Sequence, residues 1–147
     1  MICGIDPGLY GAIAFIYDDG HVYIEDMPRT GKEIAAVPLA NMFREFPPDH
    51  VYLEHVNSFG MGRQSAFNFG QTVGMIRATL STLDFPYTQV TPAKWKQYFR
   101  LGRDKDASRM AAMRLYPSHA DKFKRVKDDG RAEALLIARY GKETGTL

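Results

Sequence analysis

The stretch ICGIDPGLYGAIAF, residues 2–15, places a single carboxylate between two apolar runs. Asp6 ends the first run and is followed at once by Pro7 and Gly8. Asp, Pro and Gly each favour turns for a separate steric reason, so these three residues predict a turn between two buried strands. Asp6 is then either an ordinary turn residue or a metal ligand whose partners lie elsewhere in the chain.

Length and composition indicate an ordinary globular protein. The 147 residues predict one domain, residues 1–147, and the contents of 45% hydrophobic and 24% charged residues are those of a soluble chain. We expect no membrane association, because no apolar run is long enough to span a bilayer and the N-terminus lacks the regions of a signal peptide. The single cysteine, Cys3, lies in the first apolar run and predicts a buried thiol in a reducing cytoplasm.

The first half of the chain predicts strands around one helix. MICGID, GAIAFIYDD and GHVYIEDMP, residues 1–6, 11–19 and 20–28, predict three strands in an antiparallel meander. Residues 31–46 have helical spacing, which Pro38 is expected to interrupt or restart. HVYLEHV, starting at residue 50, is an apolar strand with an acid near its end.

The second half predicts mainly helices. Helical spacing extends from Gln64 to Leu83, and PYTQV, which ends at residue 90, predicts a fifth short strand. Thr91 followed by Pro92 predicts a helix start with Thr91 as its cap. Two further helices are predicted, one ended by Pro117 and one over residues 128–141 with Gly141 as its C-cap. The order βββαβαβαα indicates a mixed sheet with helices on both faces.

Four acids have spacings that suggest one site. Glu54 lies in an apolar strand, as Asp6 does, where an unpaired carboxylate is costly to bury. Two adjacent strands that end in acids place both side chains at one edge of the sheet. Asp129 and Glu133 are four residues apart, so they share a helix face and repel each other. Mg²⁺ or Mn²⁺ would neutralise such a cluster. If each residue is considered alone, Asp129 could instead be a helix N-cap and Glu133 a solvated surface acid.

The basic residues are concentrated in the second half of the chain. Residues 94–131 contain 12 Lys and Arg against five acids, although the net charge of the whole chain is only +2. A basic half beside an acidic metal site suits a polyanionic substrate. A solvated helical surface would have the same composition.

The motifs GIDPG, YLEHV, SAFNFGQTVGMIRATL and DDGRAEALLIA together resemble the RuvC-type Holliday junction resolvases of the RNase H-like superfamily. The resemblance extends from Ile2 to Tyr140 and is greatest to the compact phage or bacterial branch. It implies an α/β RNase H-like fold, with a five-stranded mixed sheet and helices on both faces. It also implies a metal-dependent endonuclease that resolves four-way DNA junctions by paired symmetric nicks.

The resemblance assigns the family's catalytic acids to four positions. The first falls on Asp6, the second on Glu54, and the C-terminal pair on Asp129 and Glu133. This chain has Glu as its last acid where much of the family has Asp. Its pair is spaced by four residues where the bacterial enzymes use three, so Asp128 remains an alternative to Asp129.

The family's DNA-contacting residues are matched less closely. Its two lysines beside the scissile phosphate correspond best to Lys96 and Lys105, with Lys94 as a competitor for the first role. Arg103 lies in the same basic segment and is a further candidate for DNA binding. The aromatic wedge that opens the junction centre corresponds to Phe59, in a loop that is one residue longer here.

The chemistry implied by the resemblance is two-metal phosphodiester hydrolysis with Mg²⁺, for which Mn²⁺ can substitute, leaving 5′-phosphate ends. In the mechanism that the resemblance implies, Asp6 bridges both ions, Glu54 and Glu133 complete the two metal sites, and Asp129 binds one ion directly or through water. The ammonium group of Lys105 would offset charge on the phosphate.

Paired cuts in a two-fold symmetric junction require a homodimer. The helix from Gly70 to Leu83 is the candidate interface; plain packing of that helix on the sheet is the alternative. Two other functions fit the sequence: a branched-DNA binding module that does not cleave, and a nuclease that also cuts forks and flaps. An actin-like ATPase is excluded, because it requires a second phosphate loop and about twice the length.

Overall fold

The computed structural model describes residues 1–145 and contains a five-stranded mixed sheet in the order β3-β2-β1-β6-β7. Strands β1 (Ile2–Asp6), β2 (Ala12–Ile16) and β3 (Val22–Asp26) form an antiparallel meander. Strands β6 (His50–Glu54) and β7 (Tyr87–Val90) continue the sheet parallel to β1. The predicted meander and the mixed sheet are confirmed.

The segment after the meander differs from its prediction. A two-stranded hairpin, β4 (Arg29–Thr30) and β5 (Glu33–Ile34), replaces the predicted start of the first helix. Helix α1 begins only at Ala36 and ends at Glu45. Pro38 neither interrupts nor restarts α1, because it lies in the first turn, where a backbone N–H has no intrahelical acceptor to lose.

Four further helices follow. They are α2 (Arg63–Thr82), α3 (Pro92–Tyr98), α4 (Ala107–Leu115) and α5 (Asp129–Thr144). Two short 3₁₀ segments, Pro117–Phe123 and Val126–Asp128, connect α4 to α5. Helix α3 starts at Pro92 with Thr91 at the N-cap position as predicted, although the Thr91 side chain donates and accepts no capping hydrogen bond within residues 1–145.

The prediction that Gly141 is the C-cap of the last helix is wrong. Helix α5 continues through Gly141 to Thr144, and Gly145 caps it. Gly141 lies against the ring of Tyr52, and a Cβ atom at this position would overlap that ring. The glycine therefore serves close packing of the helix on the sheet and does not end the helix.

Helices cover both faces of the sheet, as predicted. On one face α1 and α2 contribute residues such as Phe43 and Ile76 to a core with Ile5 and Leu53. On the other face α3, α4 and α5 pack against the alternate residues of the same strands. Because side chains in a strand alternate between faces, the acids at the ends of β1 and β6 point toward α5.

Cys3 is fully buried, which confirms the predicted burial of the thiol, and burial raises the pKa of this thiol well above its ordinary value. None of the helices within residues 1–145 combines the length and apolar character needed to cross a bilayer.

Candidate active site

Three carboxylates from three different elements converge at one edge of the sheet. Asp6 ends β1 and Glu54 ends the neighbouring parallel strand β6, and the pairing of Ile5 with Leu53 brings the two acids side by side. Glu133, in the second turn of α5, meets them on the same face. One oxygen from each of these three carboxylates, hereafter the acidic cluster, lies within 4.8 Å of the others.

A close backbone contact brings α5 to this edge. Gly130, in the first turn of α5, lies so near the turn after β1 that a Cβ atom would be 2.8 Å from both Gly11 Cα and the carbonyl oxygen of Tyr10. Only glycine permits this approach. In the same turn the Gly8 backbone N–H donates a hydrogen bond to Asp6 Oδ1 at 3.3 Å. Asp6 therefore accepts a hydrogen bond within the turn after β1 and is also a member of the acidic cluster.

Burial and mutual repulsion make the acidic cluster difficult to ionise. The pKa of Asp6 is raised to about 7, first by burial and then by the charge of Glu54, against a smaller opposing effect of the Gly8 hydrogen bond. Burial and the charge of Glu133 raise the pKa of Glu54 to about 7. Burial and the charge of Asp6 raise the pKa of Glu133 to about 7 as well. Each ionised carboxylate therefore opposes ionisation of the other two.

Trp95 holds the Glu54 side chain in place. Its indole Nε1–H donates a hydrogen bond to Glu54 Oε2 at 2.8 Å, and its ring is fully buried. Trp95 is not among the residues predicted for the site, and the structure adds its contact with Glu54. A buried indole needs an acceptor for its N–H, which is the signal that could have linked this residue to a strand-end acid.

Lys96 is the lysine whose charge reaches the cluster. It follows Trp95 on α3, and its Nζ lies 5.4 Å from the centroid of the Trp95 ring. Its positive charge lowers the pKa values of Asp6, Glu54 and Glu133, although not enough to offset burial. Lys94, the competing candidate, is exposed in the first turn of the same helix.

Arg109 contacts the fourth acid, Asp129. Its guanidinium Nε lies 3.4 Å from Asp129 Oδ1, and both atoms are buried without a hydrogen-bond partner within residues 1–145. The same guanidinium donates hydrogen bonds to the carbonyl oxygens of Phe123 at 3.1 Å and Lys124 at 2.8 Å, and to the carboxylate of Asp106. Nothing in the sequence distinguishes Arg109 for this role, because it is one of many cations in the basic segment.

The two adjacent acids at the start of α5 face different partners. Asp128 is only 2% exposed, and its carboxylate accepts hydrogen bonds from the backbone N–H and the guanidinium of Arg125, each at 2.9 Å. Arg131 lies 3.6 Å from the same carboxylate. The charge of Asp129, by contrast, raises the pKa values of Asp6 and Glu133. Asp129 therefore lies at the rim of the acidic cluster, and Asp128 belongs to a separate set of ion pairs.

The remaining candidates for DNA contact lie outside the acidic cluster. Arg103 and Lys105 are exposed in the segment between α3 and α4. Phe59 is 95% exposed in the loop between β6 and α2. Neither Arg103 nor Lys105 forms an ion pair with the cluster in the part of the chain that the structure describes.

The donor set of the acidic cluster fits a hard divalent cation. Carboxylate oxygens are the ligands that Mg²⁺ and Mn²⁺ prefer, and a cation among them would remove the repulsion that raises the three pKa values. Asp129 faces Arg109 through Oδ1 and could join the same ligand set through its other carboxylate oxygen.

Comparison with known proteins gives similarity at the level of structure. No protein-family model and no curated protein sequence matches the chain. The fold is similar to that of Thermus thermophilus RuvC in complex with a Holliday junction substrate, with a TM-score of 0.68, 15% identity, and coverage of 99% of this chain and 96% of that chain. It is also similar to the Fowlpox virus resolvase in complex with Holliday junction DNA (TM-score 0.61, 16% identity, 98% and 99% covered).

A third similar structure is the yeast mitochondrial Holliday junction resolvase, with a TM-score of 0.60, 17% identity, and coverage of 93% of this chain and 75% of that chain. At these identities the similarity establishes the fold. The expected α/β RNase H-like fold, with its five-stranded mixed sheet, is confirmed.

Proposed function

We propose that this chain is a metal-dependent endonuclease that cuts four-way DNA junctions by paired symmetric nicks and leaves 5′-phosphate ends. The observation that carries the proposal is the convergence of Asp6, Glu54 and Glu133 at one sheet edge of a fold shared with Holliday junction resolvases. We assign the protein to the cytoplasm, because its single cysteine is a buried free thiol.

The metal in this proposal is Mg²⁺, with Mn²⁺ as a substitute. Asp6, Glu54 and Glu133 would hold it, and Asp129 would add a fourth carboxylate. Bound metal would activate a water molecule for attack on the phosphorus and would stabilise the leaving 3′ oxygen. The raised pKa values of the three buried carboxyls support this choice, because residues 1–145 supply no full counter-charge for them.

The surrounding residues orient the ligands and attract the DNA. Trp95 fixes the orientation of the Glu54 carboxylate through its buried hydrogen bond, and Arg109 restrains Asp129. Of the lysine candidates, Lys96 is favoured for a place beside the scissile phosphate, because its charge already acts on the carboxyls. Lys105, which is exposed, has the freedom to follow a phosphate and offset its charge.

The flanking DNA is proposed to contact the exposed cation Arg103 and, at the junction centre, the exposed ring of Phe59. Both side chains are open to solvent, and neither is engaged in an ion pair or an aromatic pair within residues 1–145. An exposed phenylalanine gains free energy when it stacks on a base, and every base offers a face for this.

We further propose that the active form is a homodimer built through α2. Phe67, Gly70, Gly74 and Ala78 share one face of this helix and are all exposed, with Phe67 at 63%. A Cβ atom at Gly70 or Gly74 would have no neighbour within 4 Å, so these glycines do not pack on the sheet of their own chain. Paired cuts require two sites related by a two-fold axis, which a dimer through this face would supply.

Gly74→Leu tests the interface. The added side chain has free space in the monomer and replaces a glycine inside a helix, so we expect a folded monomer together with weaker dimerisation in sedimentation. A folded and fully dimeric Gly74→Leu protein would exclude this face. A wild-type protein that binds junctions as a monomer would exclude the dimer itself.

The nuclease activity is tested with an end-labelled synthetic four-way junction. We expect paired nicks with Mg²⁺ or Mn²⁺, no cleavage with EDTA, and nicked products that DNA ligase reseals because they carry 5′-phosphates. Ca²⁺ should support binding with little cutting, since its larger coordination sphere misplaces the attacking water. Binding without cleavage in Mg²⁺ and Mn²⁺ would instead favour a non-cleaving module, and equal cutting of forks and flaps would broaden the substrate class.

A further inference from the structure

An open cavity of about 530 Å³ adjoins the acidic cluster at Asp6. Its lining contains two exposed non-charged side chains and both signs of charge: Tyr10 and Val126, the acids Asp6, Asp26, Asp128 and Asp129, and the cations Arg29, Arg125, Lys127 and Arg131. The cavity lies between the turn after β1, the β4–β5 hairpin and the start of α5. Its volume is within the range of about 300–1,000 Å³ that is typical of ligand sites.

One wall of this cavity is an exposed aromatic ring backed by a guanidinium group. The Cζ atom of Arg29 lies 4.3 Å from the centroid of the Tyr10 ring, and Tyr10 is 72% exposed. The guanidinium covers one face of the ring, and most of the remaining ring surface is open to solvent. A tyrosine restrained in this way loses little further freedom when a planar group stacks on it.

Four cations line the cavity, and two of them have no ion-pair partner within residues 1–145. Arg125 and Arg131 are engaged with Asp128 and Asp26. Arg29 and Lys127, in contrast, have no carboxylate within 4.0 Å anywhere in residues 1–145. Val126, between Arg125 and Lys127 in the chain, is 71% exposed. An open ring, an exposed apolar side chain and two unpaired cations match the base and the phosphate of a nucleotide.

We infer that this cavity binds one unpaired nucleotide of the strand that is cut, with its base stacked on Tyr10 and its phosphate contacting Lys127. The inference rests on the proposed function for the presence of that strand beside Asp6. A base within intact duplex has both faces stacked on its neighbours, so only a base displaced at a branch point offers a free face to the ring. Tyr10 thereby favours branched DNA over linear duplex.

Three variants test the inference. Tyr10→Leu keeps apolar bulk and removes the ring, Tyr10→Phe keeps the ring, and Arg29→Lys keeps the charge and removes the planar guanidinium. Tyr17→Leu is a matched control, because Tyr17 follows β2 at the opposite end of the sheet from Asp6. Each protein is mixed in Ca²⁺ with junctions that carry 2-aminopurine at successive positions around the cut, and cleavage rates are measured separately in Mg²⁺.

We expect one position at which wild-type protein, Tyr10→Phe and Tyr17→Leu change the 2-aminopurine fluorescence and Tyr10→Leu does not. Arg29→Lys should give a reduced change. Because stacking of one base contributes about 1–3 kcal/mol, cleavage of the junction by Tyr10→Leu should be about tenfold slower. The melting temperature should be unchanged, since Tyr10 is exposed.

The outcomes separate this inference from the nuclease proposal. If the wild type cuts junctions and Tyr10→Leu matches it in fluorescence and rate, the cavity is not a nucleotide site and the nuclease proposal stands. If the wild type gives a Tyr10-dependent signal and never cuts, the cavity is a nucleotide site and the nuclease proposal fails. The absence of a Tyr10-dependent signal at every position overturns the inference.

Discussion

Two groups of acids lie near the start of α5, and only one of them is paired with cations of the protein. In the first group, the ion-pair group, Asp26 and Asp128 are matched by Arg131 and Arg125. Arg131 donates to both oxygens of Asp26 at 2.8 and 2.9 Å, and Arg125 donates to Asp128 at 2.9 Å. The Arg131 hydrogen bond lowers the pKa of Asp26, and the Arg125 contacts lower that of Asp128 despite its burial.

The acidic cluster of Asp6, Glu54 and Glu133 has no such partner. Within residues 1–145 no guanidinium or ammonium group lies within 4.0 Å of these carboxylates, and their pKa values rise to about 7. The difference distinguishes a structural acid from a functional one. A carboxylate whose pKa is lowered by cations of the fold stabilises the fold, whereas buried carboxylates whose pKa values stay raised require a cation from outside.

The largest expected effect is on cleavage. Asp6→Asn removes a ligand and a negative charge from the acidic cluster, so we expect cleavage to fall about 1,000-fold, as loss of several kcal/mol of metal-dependent stabilisation implies. Junction binding should be unchanged or tighter, because a repulsive charge near the phosphates is lost. Single-turnover cleavage and gel-shift titration measure the two effects.

Asp26→Asn is the matched control from the ion-pair group. It makes the same chemical change and should leave the cleavage rate within a few-fold of wild type while lowering the melting temperature. If Asp6→Asn retains more than a few per cent of the activity, the distinction between the two groups fails.

The adjacent pair Asp128 and Asp129 sharpens the comparison. Asp129→Asn should slow cleavage strongly with little loss of stability. Asp128→Asn should lower the free energy of unfolding by about 2 kcal/mol, because it breaks charged hydrogen bonds to a buried carboxylate, and should retain most of the activity of the folded fraction. Urea unfolding and cleavage rates on both variants measure this, and a reversed pattern would assign the ligand role to Asp128.

The raised pKa values predict an unusual pH dependence of stability. Because the folded protein keeps protons on the acidic cluster that the unfolded chain has released, stability in EDTA should fall as the pH rises from about 4.5 to above 7. At pH 8 Asp6→Asn should melt several degrees above wild type, since it relieves the repulsion. Calorimetry in EDTA at several pH values checks both statements, and a wild-type melting temperature that is constant from pH 5 to pH 8 would contradict them.

The smallest effect concerns the exposed basic segment. Because each phosphate contact releases counterions, Arg103→Glu or Lys105→Glu should reduce the slope of log K against log salt by about 1. Fluorescence anisotropy with labelled junctions at several salt concentrations measures the slope. Arg44→Glu, the same reversal of an exposed cation on α1, controls for net charge alone. Unchanged slopes in both glutamate variants of the basic segment would move the DNA path away from it.

The sequence anticipated those features that depend on local pattern. The positions of the acids at strand ends and the four-residue spacing on α5 suggested that Asp6, Glu54 and Glu133 belong to one site, because strand ends and helix faces follow from backbone geometry. The roles of Trp95 and Arg109 could not be predicted, since each contacts an acid that is distant in sequence and reached only through packing. Gly141 was misassigned for a similar reason, because the ring of Tyr52 lies on another element.

The most direct test of the account is a titration of the DNA-free protein with Mn²⁺ at pH 8, with free Mn²⁺ measured by electron paramagnetic resonance. The account predicts that the wild type binds at least one ion, that Asp6→Asn weakens this binding by about tenfold or more, and that Asp26→Asn leaves it unchanged. Equal binding by wild type and Asp6→Asn, or weakening by Asp26→Asn alone, would contradict the claim that the acidic cluster is where the external cation binds.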